Sequence, residues 1–310
     1  MPDTEVTKLH DDETDIDTTL VRRLLAGQFP QWSGHPIRYV ATSGTDNVTF
    51  RVGDDLSVRL PRTARTTGQA EKDLTWMPRL APHLPLAIPE PLALGAATSE
   101  YPFTWGVYRW LPGDTFDPAA VDPQAAAHQL ADFLHHLQQI DTTGAPAPPD
   151  SPFSRGTPLA PRDRLYRDAV DTLRDDLDPA LLLAAWDHAL TAGTWTGPPR
   201  WIHGDLMPGN VLTAGGRLTA VIDFGTAWAA DPAADIMAAW LLFDGDARQA
   251  FRDALKTDDH TWVRARGWAL SLAVIALPYY RNRSSPDDVQ DSLTYISELL
   301  AEFTADRPSW

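Results

Sequence analysis

Two short segments hold the residues best suited to chemistry. The first reads His203-Gly204-Asp205-Leu206-Met207-Pro208-Gly209-Asn210, and the second reads Val221-Ile222-Asp223-Phe224-Gly225. Moving a phosphoryl group from a nucleotide to a hydroxyl asks few groups of a protein. A carboxylate must lie beside the acceptor hydroxyl, and two oxygen ligands must hold the magnesium ions that neutralise the phosphates. The pattern H-x-D-L-x-x-x-N supplies Asp205 as general base and Asn210 as one ligand, five residues apart on a tight loop. Asp223, 18 residues beyond Asp205 and after a short apolar strand, supplies the second ligand. Asp and Asn also favour ordinary turns, and one Asp-Phe-Gly alone says little. The two segments together, in this order and each at a strand end, point to phosphoryl transfer.

Such loops need elements to hold them. Leu20, Val21, Leu24, Leu25 and Phe29 recur at helical spacing. Over residues 38–60 the period changes to two: Val48, Phe50 and Val52 alternate, Gly53-Asp54-Asp55 turns the chain, and Leu56, Val58 and Leu60 alternate again. That predicts three antiparallel strands joined by hairpins. A helix is expected over 68–80, a proline-rich stretch over 82–91 and a further strand over 104–108. Beyond that point the pattern is mainly helical, with a stripe of Leu130, Phe133, Leu134, Leu137 and Ile140. Residues 142–161 carry six prolines and read as a loop. A polar helical stretch follows over 163–190, then short strands at Trp201-Ile202, Val211-Leu212 and 218–222, then helices broken at Pro278 and Pro286. No internal repeat is visible.

Composition narrows the partners. Asp+Glu 42 against Lys+Arg 26 gives a net charge of −16 over 310 residues, which repels nucleic acid and attracts a cationic small molecule. With no cysteine, disulfide scaffolds, thiolate catalysis and zinc clusters are excluded. The acidic start lacks the basic and apolar stretches of a secretory signal, and no apolar run is long enough for a bilayer. The expectation is a cytoplasmic protein with no membrane partner.

On these residues the chain resembles the aminoglycoside phosphotransferase family, relatives of the protein-kinase fold, over residues 38–280. The resemblance implies an α+β, two-lobed, protein-kinase-like architecture with nucleotide in the cleft between lobes. A small N-terminal antiparallel-sheet lobe spans 18–109 and a larger, mainly helical C-terminal lobe spans 110–310, after an acidic disordered tail over 1–17. It implies ATP or GTP with Mg2+ and a small-molecule acceptor, in a monomer or homodimer. Residues 42–47, with Ser43 and Gly44, take the place of the nucleotide-positioning loop. Arg109-Trp110-Leu111, continuing into Pro112-Gly113, looks like the hinge where main-chain groups meet the base. Asp205 would be the general base, His203 a brace of the catalytic loop, and Asn210 and Asp223 the metal ligands. Asp235, in Asp231-Pro232-x-x-Asp235, is similar to the residue that braces that loop.

Departures from the pattern carry information. Arg59 stands where most kinases hold a phosphate-gripping Lys, and the two are not interchangeable. Its acidic partner on the next helix is Asp73 or Glu71, which lie about 200° apart around a helix, so one of them faces the cleft. Protein kinases carry Arg at the position of Gly204, where it grips a phosphorylated loop. That Arg, an Ala-Pro-Glu and a G-x-G-x-x-G loop are all missing. A constitutively active small-molecule kinase follows, its acceptor an antibiotic. The alternatives are a metabolic kinase for a choline-, homoserine- or sugar-like acceptor, or a nucleotide-binding pseudokinase. Asp114 reads as a ribose or acceptor contact or as a turn residue. The acid-rich stretch over 163–178 reads as a solvated face or, by the resemblance, as a wall of the acceptor pocket.

Overall fold

The computed structural model describes Val6, Lys8 and residues 13–41, 46–283 and 285–306. The chain begins with helix α1 (Thr18–Gln28) and strands β1 (Ile37–Val40), β2 (Asn47–Val52) and β3 (Leu56–Pro61). Helix α2 (Gln69–Leu80) precedes β4 (Pro91–Gly95), β5 (Trp105–Arg109) and the short β6 (Asp114–Thr115). Helices α3 (Pro123–Gln139), α4 (Asp163–Thr172) and α5 (Pro179–Thr191) follow. Next come β7 (Arg200–Ile202), β8 (Val211–Ala214), β9 (Arg217–Val221) and β10 (Trp228–Ala230). The rest is helical: α6 (Ala233–Ile236), α7 (Ala238–Leu242), α8 (Gly245–Leu255), α9 (Asp259–Asn282) and α10 (Pro286–Ala305). Two compact units result. The first takes the chain up to Thr115 with Val211–Ala214 and Thr219–Gly225, and the second takes the remainder.

In the first unit an antiparallel sheet runs in the order β1-β2-β3-β5-β4. The alternating side chains Val48, Phe50, Val52, Val58 and Leu60 are buried in one cluster with Leu20, Val21, Leu24 and Leu25 of α1. Each such side chain contributes about 1.5–3 kcal/mol when fully buried. Strand β4 has no counterpart in the sequence reading. Its first residue is Pro91, and proline is tolerated because this strand lies at the sheet edge. The expected tail also ends early. Glu13 is buried in an ion pair with Arg62 at 2.8 Å, and Ile16 belongs to the core.

In the second unit α9 is buried along much of its length, with Trp268, Leu270, Val274 and Leu277 among its core side chains. Helices α4, α5, α6 and α10 pack around it. A helix apolar on so many faces belongs at the centre of a bundle. The break expected at Pro278 is absent, since α9 continues to Asn282. Pro278 removes one helical donor, the one that would serve the Val274 carbonyl, and the helix carries on past it. The break at Pro286 is real, with the proline in the first turn of α10. The stretch over 163–190 divides in two because Asp178 caps α5 by accepting the N–H groups of Ala180 and Leu181, with Pro179 at the start. Among the described residues no helix is long and apolar enough to cross a membrane.

Gly95 shows how tightly the sheet is fitted. A Cβ there would lie 2.0 Å from the fully buried Trp105 indole. Gly95→Ala is therefore expected to lose about 1–3 kcal/mol of stability through overpacking, read as a lower urea midpoint. An unchanged midpoint would show that the edge strand yields.

Candidate active site

In the second unit, β7 ends directly in His203-Gly204-Asp205. The buried carboxylate of Asp235 accepts the main-chain N–H of His203 and that of Gly204, both at 2.7 Å. Burial pushes the Asp235 carboxyl up to about 7, although the two N–H bonds favour its ionised form. Gly204 has φ +83, and a Cβ there would stand 2.7 Å from the Thr226 carbonyl, so glycine alone fits. His203 is fully buried, and its Nδ1 accepts the Asp205 N–H at 3.2 Å. Thr226 donates its hydroxyl to the His203 carbonyl. The loop is thereby fixed at three consecutive residues.

Asp205 remains partly exposed at the end of this frame. Asn210 donates its amide to the Asp205 carbonyl at 2.8 Å and to Oδ2 at 3.1 Å. Arg155 Nη2 stands 3.7 Å from Oδ1, a contact the sequence did not signal. Farther along, Asp231 pairs with Arg264 at 2.8 Å and caps α6 through the Ala233 N–H.

In the first unit, Arg59 on β3 donates to Asp223 Oδ1 at 2.8 Å. Asp223 has φ +66, a left-handed conformation uncommon for a residue with a side chain and frequent at functional sites. Burial alone would push the Arg59 guanidinium down, but Asp223, Tyr108 and Asp73 hold it above its ordinary range. Asp73 is almost fully buried and accepts the Tyr108 hydroxyl at 2.9 Å. Burial raises its carboxyl, against the pull of Arg59, Tyr108 and Lys72. Of the two acids on α2, Asp73 thus shares the surroundings of Arg59, while the direct ion pair goes to Asp223. Lys72 donates to the Gly225 carbonyl, tying α2 to the Asp-Phe-Gly segment. Gln69, held by Asn47 at 2.9 Å, reaches Asp223 Oδ1 at 3.4 Å. Asn47, Arg59, Pro61, Gln69, Ala70 and Tyr108 line a small pocket.

The remaining sequence-predicted residues are less committed to one place. Ser43 and Gly44 lie outside the described residues. Arg109 is exposed, with its side chain turned to Glu90 at 2.6 Å. The N–H groups of Arg109 and Trp110 donate to Glu90 and Asp55 carbonyls, so at those two residues a base can find only acceptors. Leu111 follows as irregular chain, and Asp114 pairs with Thr213 in the β6–β8 ladder. Lys72, Gln69, Tyr108 and Arg155 were missed. A polar face of α2 carrying Gln69, Lys72 and Asp73 was the available signal for the first two.

A sheet-rich unit followed by a helical one, with Asp205, Asn210 and Asp223 at strand ends, defines a kinase-like fold. The chain belongs to the phosphotransferase enzyme family, abbreviated APH, whose model matches residues 39–269. Solved structures agree on the fold. The GDP complex of a point mutant of aminoglycoside 2'-phosphotransferase-IIIa is 22% identical, with a TM-score of 0.74, covering 94% of this chain and 100% of its own. Macrolide 2'-phosphotransferase type I is 18% identical, with a TM-score of 0.62, and the coverages are 93% and 97%. The apoenzyme of a macrolide 2'-phosphotransferase from Brachybacterium faecium is 22% identical, with a TM-score of 0.58, and the coverages are 94% and 99%. No curated protein matches the chain in sequence.

Asp235 generates a test of the loop. Replacing it with Asn leaves one acceptor oxygen for two N–H donors, an expected loss of about 1–3 kcal/mol. Its folded value of about 7 lies above the ordinary 3.8, so the folded state binds the extra proton between the two. The stability Asp235 contributes is thus present below about pH 4 and lost as pH rises towards 7. The gap in unfolding free energy between native chain and Asp235→Asn should narrow across that window. A gap independent of pH would contradict the assignment.

Proposed function

We propose that this phosphotransferase moves the γ-phosphate of ATP, with GTP as the alternative donor, to a hydroxyl of a small molecule, and that the acceptor is an antibiotic inactivated by the transfer. One observation carries the reading: the Asp205 carboxylate, partly exposed, on a loop clamped by Asp235 and with Asn210 bonded to it. A free hydroxyl attacks poorly at neutral pH. Asp205 orients it and takes its proton as the oxygen–phosphorus bond forms, the bond to the nucleoside diphosphate breaks, and the proton later passes to solvent. On this reading residues 18–109 serve the nucleotide, through Ser43, Gly44, Arg59, Asp73 and Arg109, joined by the main chain of Trp110 and Leu111 just beyond. Residues 110–310 serve catalysis and the acceptor.

The donor chemistry suits magnesium. Asn210 and Asp223 offer hard oxygens, and the chain has no thiolate. Magnesium commonly binds through one or two protein oxygens, with phosphates and water completing its coordination. When bound, the ion neutralises phosphate charge. The choice of donor draws on neighbouring structures that are GDP, ADP and ATP complexes. The choice of acceptor draws on neighbouring structures that are complexes with kanamycin, gentamicin and streptomycin and on a macrolide 2'-phosphotransferase. The net charge of −16 favours a cationic acceptor. ATP and magnesium are supplied by the cytoplasm, where we expect the protein.

The test is a panel of aminoglycosides, macrolides and small metabolic alcohols incubated with enzyme, ATP and magnesium. Mass spectrometry should find one phosphate added to an antibiotic. Phosphorylation of a metabolic alcohol alone would move the acceptor class, and transfer to none would remove the activity. EDTA should abolish transfer and magnesium restore it. Asp205→Asn keeps the shape and removes the proton acceptor, so kcat should fall on the order of 10²–10⁴-fold while nucleotide affinity and Tm hold. A native rate in that variant would sink the mechanism.

A further inference from the structure

Arg155 belongs to the proline-rich loop before α4, yet it is built into the frame of the catalytic loop. Its carbonyl accepts the Trp228 indole N–H at 2.8 Å, and the next carbonyl, of Gly156, accepts the Asp231 N–H at 3.2 Å. Strand β10, which includes Trp228, pairs with β7, and β7 leads into His203. The arginine side chain is 16% exposed, and its Nη2 stands 3.7 Å from Asp205 Oδ1. That separation is a charge contact and too long for a hydrogen bond, so the donors of the fork are not spent on the carboxylate. Its Nε is buried with no hydrogen-bond partner, and Asp205 is the one acid it pairs with among the described residues.

A second cation lies close by. Arg162 is fully buried, with its Nε on the Ser271 hydroxyl at 3.0 Å and its guanidinium over the Trp268 ring at 4.8 Å. Burial, and then Arg155, push that guanidinium down to about 9. Two guanidinium groups near one another, one of them facing Asp205, make a local positive field in a chain of net charge −16.

A role for Arg155 follows from Asp205. A hydroxyl that gives its proton to Asp205 lies about 2.6–3.2 Å from the carboxylate. The phosphorus it attacks must lie on its other side, so the anionic γ-phosphoryl oxygens come within reach of the same carboxylate. Two anions at that distance repel unless a cation stands beside both. We propose that Arg155 is that cation: one nitrogen faces Asp205 while another donates to a non-bridging oxygen of the γ-phosphoryl group in transit. Planar arginine forks suit such shared recognition of carboxylate and phosphate. In the step, the acceptor oxygen bonds to phosphorus, the bond to the β-phosphate oxygen breaks, the proton goes to Asp205, and Arg155 keeps its own protons throughout.

This inference rests on the proposed phosphoryl transfer, and the experiment separates the two. The native chain, Arg155→Ala, Arg155→Gln and Arg155→Lys are compared for transfer from γ-labelled ATP to kanamycin, to erythromycin and to water. Arg155→Ala should lower kcat on the order of 10²–10³-fold, with Tm, nucleotide Kd and acceptor KM little changed. Added guanidinium ion should restore part of the loss, Arg155→Lys should keep part of the rate, and the rate ratio of ATP to ATPγS should shrink in the Ala variant. Should Ala misfold, Gln fills the space without charge and gives the same comparison. Active native enzyme with unchanged kcat in these variants, or a loss confined to acceptor KM, overturns the role of Arg155 and leaves the enzyme reading intact. A lowered Tm without guanidinium rescue makes the residue structural and overturns the role as well. No transfer by the native chain to any acceptor overturns both.

Discussion

Much of the second unit is arranged around one carboxylate. Asp235 receives two successive main-chain N–H groups where β7 ends, and those donors have no strand partner left to take them. Unpaired, two buried N–H groups would be costly enough to open the loop. Paired, they fix Gly204 in a backbone region closed to other residues and leave Asp205 with one oxygen on Asn210 and the other facing Arg155. The burial of Asp235 follows from α6, a short helix started by the Asp231 cap and seated against α9. A buried acid that titrates near neutrality is the cost of holding the loop so closely.

The first unit solves a parallel problem with more charges. Asp223 is held in a left-handed conformation and shares its Oδ1 between Arg59 and Gln69. Asp73, Tyr108 and Lys72 complete a group of two acids and two cations in which no charge is isolated. Replacing one member of such a group leaves its neighbours unpaired in a poorly solvated place, so these residues are expected to change together. That explains how an arginine is tolerated on β3: its acid, its helix and its tyrosine are all fitted to it.

The legibility of these features follows their sequence separation. Asp205 and Asn210 could be read because they belong to a short spaced pattern on a tight loop, whereas Asp235, 32 and 31 positions from the His203 and Gly204 it holds, came only through the family resemblance. The hairpins of β1 to β3 were legible because alternation and turn residues agree. The partner of Arg59 was not legible: Asp223 lies 164 positions away, and helical phase could only offer Asp73 or Glu71. Arg155 sits in a loop whose prolines announce irregularity and nothing more, and its meaning comes from Trp228 and Asp231 far along the chain. Pro278 misled because a proline that removes a single helical bond need not end the helix, and α9 runs on to Asn282. Local rules read local geometry, and the electrostatic partners were chosen by the fold.

Gly204 has an evolutionary consequence. A side chain there would need an unfavourable backbone conformation and would strike the Thr226 carbonyl, so the arginine that lets protein kinases sense a phosphorylated loop cannot arrive by a single substitution. A lineage seeking such a switch would first have to rebuild the segment after Gly225 while keeping Asp223 in place. Short of that, a phosphate added to a later loop would find no cation at position 204 to hold it.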